Sequence, residues 1–205
     1  MNHIYEMITS IILAGGKSLR LGRSKCLETI NGKSLIERVI ERLKSVSRQI
    51  LMVTSWEQLD LPAIGEAEVV VDLYPGKGPL VGIYTGLLAA ESSHSLVVAC
   101  DMPFLNIELL RYMIKLSPGF DAVVPRLEEG KVEPLHAIYS KDCLDNMKTL
   151  LEHDQLEVIR LLNTVHVRYI EQAECQRFDP QLLSFFNINC QSDLERAIML
   201  AVENG

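Results

Sequence analysis

Lys17, Arg20, Arg23 and Lys25 lie on a stretch that also holds Gly15, Gly16 and Gly22, and the stretch follows directly on the apolar run Ile11-Ile12-Leu13-Ala14. A strand that empties into a glycine-rich, cationic loop is a place to hold a polyphosphate. Glycine has no Cβ to keep an anion from main-chain N–H groups, and the side-chain cations add charge that backbone dipoles alone do not supply. The two commonest phosphate loops do not fit this spacing. A Walker A loop requires a glycine five residues before Gly16 or Gly32, where Ile11 and Leu27 stand, and Gly15, Gly16 and Gly22 lack the G-x-G-x-x-G spacing of a dinucleotide fold.

Further polar groups stand at the ends of apolar runs. Asp101 closes residues 95–100 and precedes Met102-Pro103, so its carboxylate is expected to project from a strand end. One carboxylate, completed by phosphate oxygens and water, is enough to anchor Mg²⁺, although an aspartate in this position also serves as an ordinary turn or cap residue. Asp72 follows Val69-Val70-Val71 in the same way. Asn187 and Asn189 flank Ile188 after Phe185-Phe186. As alternate residues of a short strand they point the same way and can orient polar substrate groups, or else cap a strand edge. His136, between Pro134 and Tyr139, reads as a hydrogen-bonded structural histidine and not a base. Cys26, Cys100, Cys143, Cys175 and Cys190 form no C-x-x-C pair and read as reduced thiols, and the histidines offer no metal-binding i, i+4 pair.

For these groups to meet, the intervening elements must bring the run ends together. Apolar runs at residues 8–14, 49–54, 68–71, 95–100 and 121–125 alternate with helical segments, the pattern of an α/β chain with a mostly parallel sheet. Because these runs are apolar at nearly every position, helices are expected on both faces. Ser34 with Glu37 and Ser192 with Glu195 match the capping box, starting helices over residues 35–44 and 193–202. Pro79 opens another to residue 90, Asn106 caps one to residue 115, and Ser140 precedes an amphipathic stretch through Leu151. Residues 165–170 read as a strand, and apart from these two stretches residues 127–174 stay unassigned. Ligands of open parallel sheets bind beyond the carboxyl ends of the strands, where the glycine loop, residues 72–79 and residues 101–103 fall.

No linker divides residues 1–205, so one domain is expected. A formal net charge of −7 argues against a nucleic-acid or anionic-membrane surface. No apolar run nears the ~20 residues that cross a bilayer, and residues 1–10 lack the pattern of a signal peptide, so a cytoplasmic location is expected.

The pattern L-A-G-G-x-S-x-R-x-G-x-x-K over residues 13–25 resembles the signature of sugar-nucleotide and cofactor nucleotidyltransferases. Gly78-Pro79-Leu80-Val81-Gly82-Ile83, Cys100-Asp101-Met102-Pro103-Phe104, Glu133-Pro134-Leu135-His136-Ala137-Ile138-Tyr139 and Phe186-Asn187-Ile188-Asn189 narrow the resemblance to the molybdenum cofactor guanylyltransferases. The resemblance implies a Rossmann-like three-layer nucleotidyltransferase fold and transfer of GMP from GTP to the phosphate of molybdopterin, or the molybdenum cofactor, with release of pyrophosphate. It places Leu13, Ala14, Gly15, Gly16, Lys25, Ser55, Asp72 and Asp101 at the nucleotide. Arg20, Lys25 and Asp101 become the catalytic groups, with Mg²⁺ on Asp101, while Lys17 and Arg23 read as solvated loop charges. Gly82, Asn187 and Asn189 fall to the acceptor, although glycines at 78–82 also suit close helix packing. Transient contacts with cofactor-biosynthesis or acceptor proteins are implied too. Two positions depart from the family: Ser24 stands where an aspartate is frequent, and Ser55 where an asparagine is usual. Two alternatives stay open, a cytidylyltransferase acting on the same pterin and a non-catalytic relative that binds nucleotide or cofactor. Gly15-Gly16 and Gly78-Pro79-Leu80 favour guanine.

Overall fold

A computed structural model of the chain describes residues 8–14, 25–55 and 67–203. In chain order the strands are β1 (Thr9–Leu13), β2 (Thr29–Ile30), β3 (Lys33–Ser34), β4 (Gln49–Thr54), β5 (Glu68–Val71), β6 (His94–Ala99), β7 (Ala122–Arg126), β8 (His136–Ser140) and β9 (Val167–Glu171). The helices are α1 (Leu35–Leu43), α2 (Pro79–Ala89), α3 (Ile107–Leu116), α4 (Leu144–Glu152), α5 (Val158–Leu162), α6 (Gln172–Cys175) and α7 (Gln191–Glu203). A seven-stranded sheet runs β5-β4-β1-β6-β8-β7-β9, and β2 and β3 pair separately. All neighbours in the large sheet are parallel except β8, which lies antiparallel between β6 and β7.

Every residue of β1 is buried, as a central strand clothed on both faces requires. Ile12 packs with Val39 and Ile40 of α1 and Leu109 and Leu110 of α3, while Ile11 and Leu13 pack on the opposite face with Leu80, Ile83 and Leu87 of α2. Two cores separated by one sheet make three layers. Helix α1 starts where expected: the Glu37 amide donates to the Ser34 hydroxyl and the Ser34 amide donates to the Glu37 carboxylate. Its buried face is Leu35, Ile36, Val39, Ile40 and Leu43, each side chain contributing about 1.5–3 kcal/mol by leaving water.

Helix α2 opens on Pro79 behind Gly78, whose φ of 90° is a left-handed-region backbone that a side chain would strain. Gly82 and Gly86 face β1. A Cβ at 86 would lie 2.5 Å from Ile11 Cγ2, and one at 82 would lie 3.1 Å from Leu13 Cδ2. The two glycines therefore let α2 settle closer to the sheet than larger residues would allow.

Three expectations are corrected. β5 is an edge strand in which Val69 and Val71 stay 40% and 42% exposed, so not every apolar run is covered on both faces. β8 enters a stretch that carried no assignment. Helix α7 begins at Gln191, ahead of the expected start. Among the described residues no helix is long and apolar enough to cross a membrane.

Candidate active site

Strand register places the site. Leu13 lies beside Val53 and Ala99, and Val53 beside Val70, so the chain leaves β1, β4, β5 and β6 at one level. That alignment delivers Ala14, Ser55, Asp72 and Cys100-Asp101 to one edge of the sheet. The ladder continues past the strand ends: the Ala14 amide donates to Val53 O at 2.9 Å, the Cys100 amide to Leu13 O at 3.2 Å, and the Asp72 amide to Thr54 O at 2.8 Å. The Leu13 carbonyl and the Ala14 amide are thus already engaged within the sheet, where they hold the edge together.

Lys25 starts a short turn of 3₁₀ helix and reaches across this edge. Its Nζ donates to Asn189 Oδ1 at 2.8 Å and lies 3.4 Å from Asp101 Oδ2. The Lys25 and Asp101 side chains keep only 22% and 16% of their exposure. The next residues also touch: Cys26 Sγ lies 2.7 Å from Cys100 Sγ, with both thiols buried. The Ile188 amide donates to Asp101 O at 3.1 Å, which ties the asparagine segment to the strand end.

Burial pushes the Asp101 carboxyl above the usual carboxylate range, and the nearby Lys25 ammonium opposes that rise without cancelling it. Asp101 Oδ1 is buried and accepts no hydrogen bond among the described residues. A carboxylate oxygen taken out of water without a donor fits a cation. Among the described residues no three His, Cys, Asp or Glu side chains are grouped to share a metal. An ion here would be held by Asp101 together with ligand and water oxygens.

The other expected residues divide. Asp72 Oδ1 accepts from Thr85 Oγ1 at 3.2 Å and from the Tyr74 amide at 3.4 Å, a turn role that also pins the loop to α2. Ser55, half-buried, follows β4 at the same edge. Gly82 turns its Cα toward Leu13, so packing between α2 and β1 accounts for the glycine. Residues 186–189 are not a strand, because the preceding turn of 3₁₀ helix over Leu183–Phe185 breaks the extended run. Asn187 and Asn189 consequently part: Asn187 Nδ2 donates to Phe185 O at 3.2 Å, while Asn189 meets Lys25.

His136 is also corrected. It is fully buried, it packs edge-on against Phe185 with centroids 4.9 Å apart, and neither ring nitrogen has a hydrogen-bond partner among the described residues. Gly15, Gly16 and Arg20, with Lys17, Arg23 and Ser24, lie outside the described residues. Sequence reasoning missed Thr85 and Asp193, which hold Asp72 and Asn189. The legible sign for Asp193 was a carboxylate three residues into a helix, obscured by the competing Ser192–Glu195 match.

Residues 10–168 match the model of the MobA-like NTP transferase domain family. A probable molybdenum cofactor guanylyltransferase of Pelotomaculum thermopropionicum is 38% identical over 193 residues, which cover 94% of this chain and 93% of the relative. The molybdenum cofactor guanylyltransferase of Desulfosudis oleivorans is 35% identical over 195 residues, covering 94% and 95%. The crystal structure of molybdopterin-guanine dinucleotide biosynthesis protein A from Archaeoglobus fulgidus superposes with a TM-score of 0.84 at 30% identity, covering 96% of this chain and 100% of that one. With the sheet order, the loop edge and these likenesses in agreement, the chain belongs to the MobA-like NTP transferase family, the family of the molybdenum cofactor guanylyltransferases.

Proposed function

We propose that the chain transfers GMP from GTP to the phosphate of molybdopterin, forming the guanine dinucleotide cofactor and releasing pyrophosphate. The observation that carries this reading is the convergence of Lys25, Asp101 and Asn189 at the carboxyl edge of the sheet, in a chain of this family. A nucleoside triphosphate carries about four negative charges, and a phosphate nucleophile adds more, so the repulsion must be lowered before attack on the α-phosphorus. Mg²⁺, when bound, supplies that shielding for the phosphate oxygens, and Asp101 is the residue that would hold it.

Lys25 contributes a fixed cation for the phosphates. Because it bonds both Asn189 and Asp101, it can turn from the carboxylate to a phosphate oxygen while keeping the asparagine. The family resemblance gives Arg20, Gly15 and Gly16 to the nucleotide as well. Ser55 and Asp72 line the nucleotide side, and Asn189 faces the acceptor. Gly82 shapes the acceptor side by letting α2 pack close to β1, and Asn187, whose carboxamide bonds Phe185 O, supports the same side. The attacking phosphate oxygen is ionised at neutral pH, so no general base is required. The reaction belongs to the cytosol in this reading.

Pyrophosphate release tests the proposal, with Mg²⁺, molybdopterin and each of GTP, CTP, ATP and UTP in turn. Preference for GTP is the expected result. Preference for CTP would make the chain a cytidylyltransferase, and no release with any nucleotide would leave a binding protein. Asp101→Asn is expected to lower turnover by about 10²-fold or more with the fold retained, read by pyrophosphate release and circular dichroism.

A further inference from the structure

We infer that Asp193 is a positioning residue for the transfer: its carboxylate fixes the main chain of Asn189, and through the Asn189 carboxamide it fixes Lys25. The inference rests on the proposed role of Lys25 at the phosphates. Asp193 Oδ2 accepts from the Asn189 amide at 2.8 Å and from the Cys190 amide at 3.0 Å. Both amides belong to the turn that enters α7, where helix geometry supplies no acceptor. One oxygen that takes two successive N–H groups fixes the backbone between them, and so fixes the direction in which the Asn189 side chain leaves. That side chain ends on Lys25 Nζ at 2.8 Å, and Lys25 ends on Asp101 at 3.4 Å. The chain of contacts runs from the first turn of α7 to the end of β6.

Asn189 is exposed, and among the described residues only Lys25 donates to its carboxamide oxygen. Its neighbour is anchored differently. Ile188 is fully buried with Ile30, Leu35, Leu194 and Ala197, and its amide donates to Asp101 O. Burial holds the segment in place up to Ile188, and Asp193 carries the constraint one residue further. The two amide bonds, with the Lys25 charge nearby, keep the Asp193 carboxyl below the usual carboxylate range, so it stays ionised at neutral pH.

The test uses the full chain and three readouts: melting temperature, GMP transfer, and the rate at which an amine-reactive ester labels Lys25, mapped by mass spectrometry. Asp193→Ala is expected to lower kcat/KM on the order of tenfold below its melting temperature, and to speed Lys25 labelling. Asp193→Asn keeps an oxygen for the two amides and is expected to stay within about threefold of the parent. In an Asn189→Ala background, Asp193→Ala is expected to add less than about twofold, because both changes break one relay. Ser192→Ala, at the capping position the sequence suggested, is expected to change neither turnover nor labelling. A folded Asp193→Ala protein with parental turnover and parental Lys25 labelling would reduce Asp193 to a helix cap and overturn the inference. So would an undiminished Asp193→Ala effect in the Asn189→Ala background. If the parent transfers no GMP, the proposed function fails, and Lys25 labelling alone then decides the positioning claim.

Discussion

His136 makes the stability of this fold acid-sensitive in a way that one substitution removes. The side chain is fully buried on β8, and burial holds its pKa at about 3, far below the ordinary value of 6.5. A folded value below the unfolded one means that the unfolded chain binds the extra proton between the two. Stability from this residue is therefore fully present above the unfolded pKa and declines as pH falls toward the folded one. At about pH 4.5 the unfolded histidine is almost fully protonated while the folded one is neutral, and linkage gives a loss of about 2.7 kcal/mol relative to about pH 7.5. That figure depends mainly on the unfolded value, since the test pH lies above the folded one. Urea unfolding of the parent and of His136→Leu at both pH values isolates the effect. Other groups titrate alike in the two proteins, so the parent is expected to lose about 2–3 kcal/mol more than the variant. Equal losses, or an NMR titration of the His136 ring near its ordinary value in the folded protein, would refute the reasoning.

Other predictions follow from contacts already described. Gly86→Ala places a methyl against Ile11 and is expected to destabilise the fold by about 1–3 kcal/mol in urea unfolding, outweighing alanine's helix preference. Gly82→Ala meets only the tip of Leu13 and is expected to change stability by less than about 1 kcal/mol. Asn189→Ala is expected to lower turnover by about tenfold, and Asn187→Ala by less than about threefold, in the pyrophosphate assay. Ser34→Ala removes the cap of α1 and is expected to cost about 1 kcal/mol by the same unfolding measurement.

Much of this architecture was legible because local chemistry and global packing agree. The bounds of β4 and β5 match the apolar runs, Pro79 opens α2, and Asn106 Oδ1 accepts from the Leu109 amide at 2.9 Å to start α3. The direction of β8 was hidden, since an apolar stretch does not say whether its neighbour runs parallel or antiparallel. The pairing of Asn187 with Asn189 was misread for a related reason. Alternation implies a shared face only inside a strand, and Leu182, with a φ of 54°, followed by a 3₁₀ turn, prevents one. Gly82 was ambiguous because a glycine that admits a ligand and one that admits a neighbouring leucine look the same until Leu13 is seen across from it. At the site, the ends of β1 and β6 were foreseen, whereas the link from Lys25 to Asn189 depends on how α7 folds back.

That link joins residues 164 positions apart, which has a consequence for biosynthesis. As the polypeptide emerges from the ribosome, Lys25 and the strand-end Asp101 are made long before the asparagine that bonds the lysine. The strands of the sheet can therefore pair before the loop edge has its last contact. A stop before residue 186 would leave Lys25 without its Asn189 partner and would strip Ile188, Leu194 and Ala197 from the cluster that covers Ile30 and Leu35.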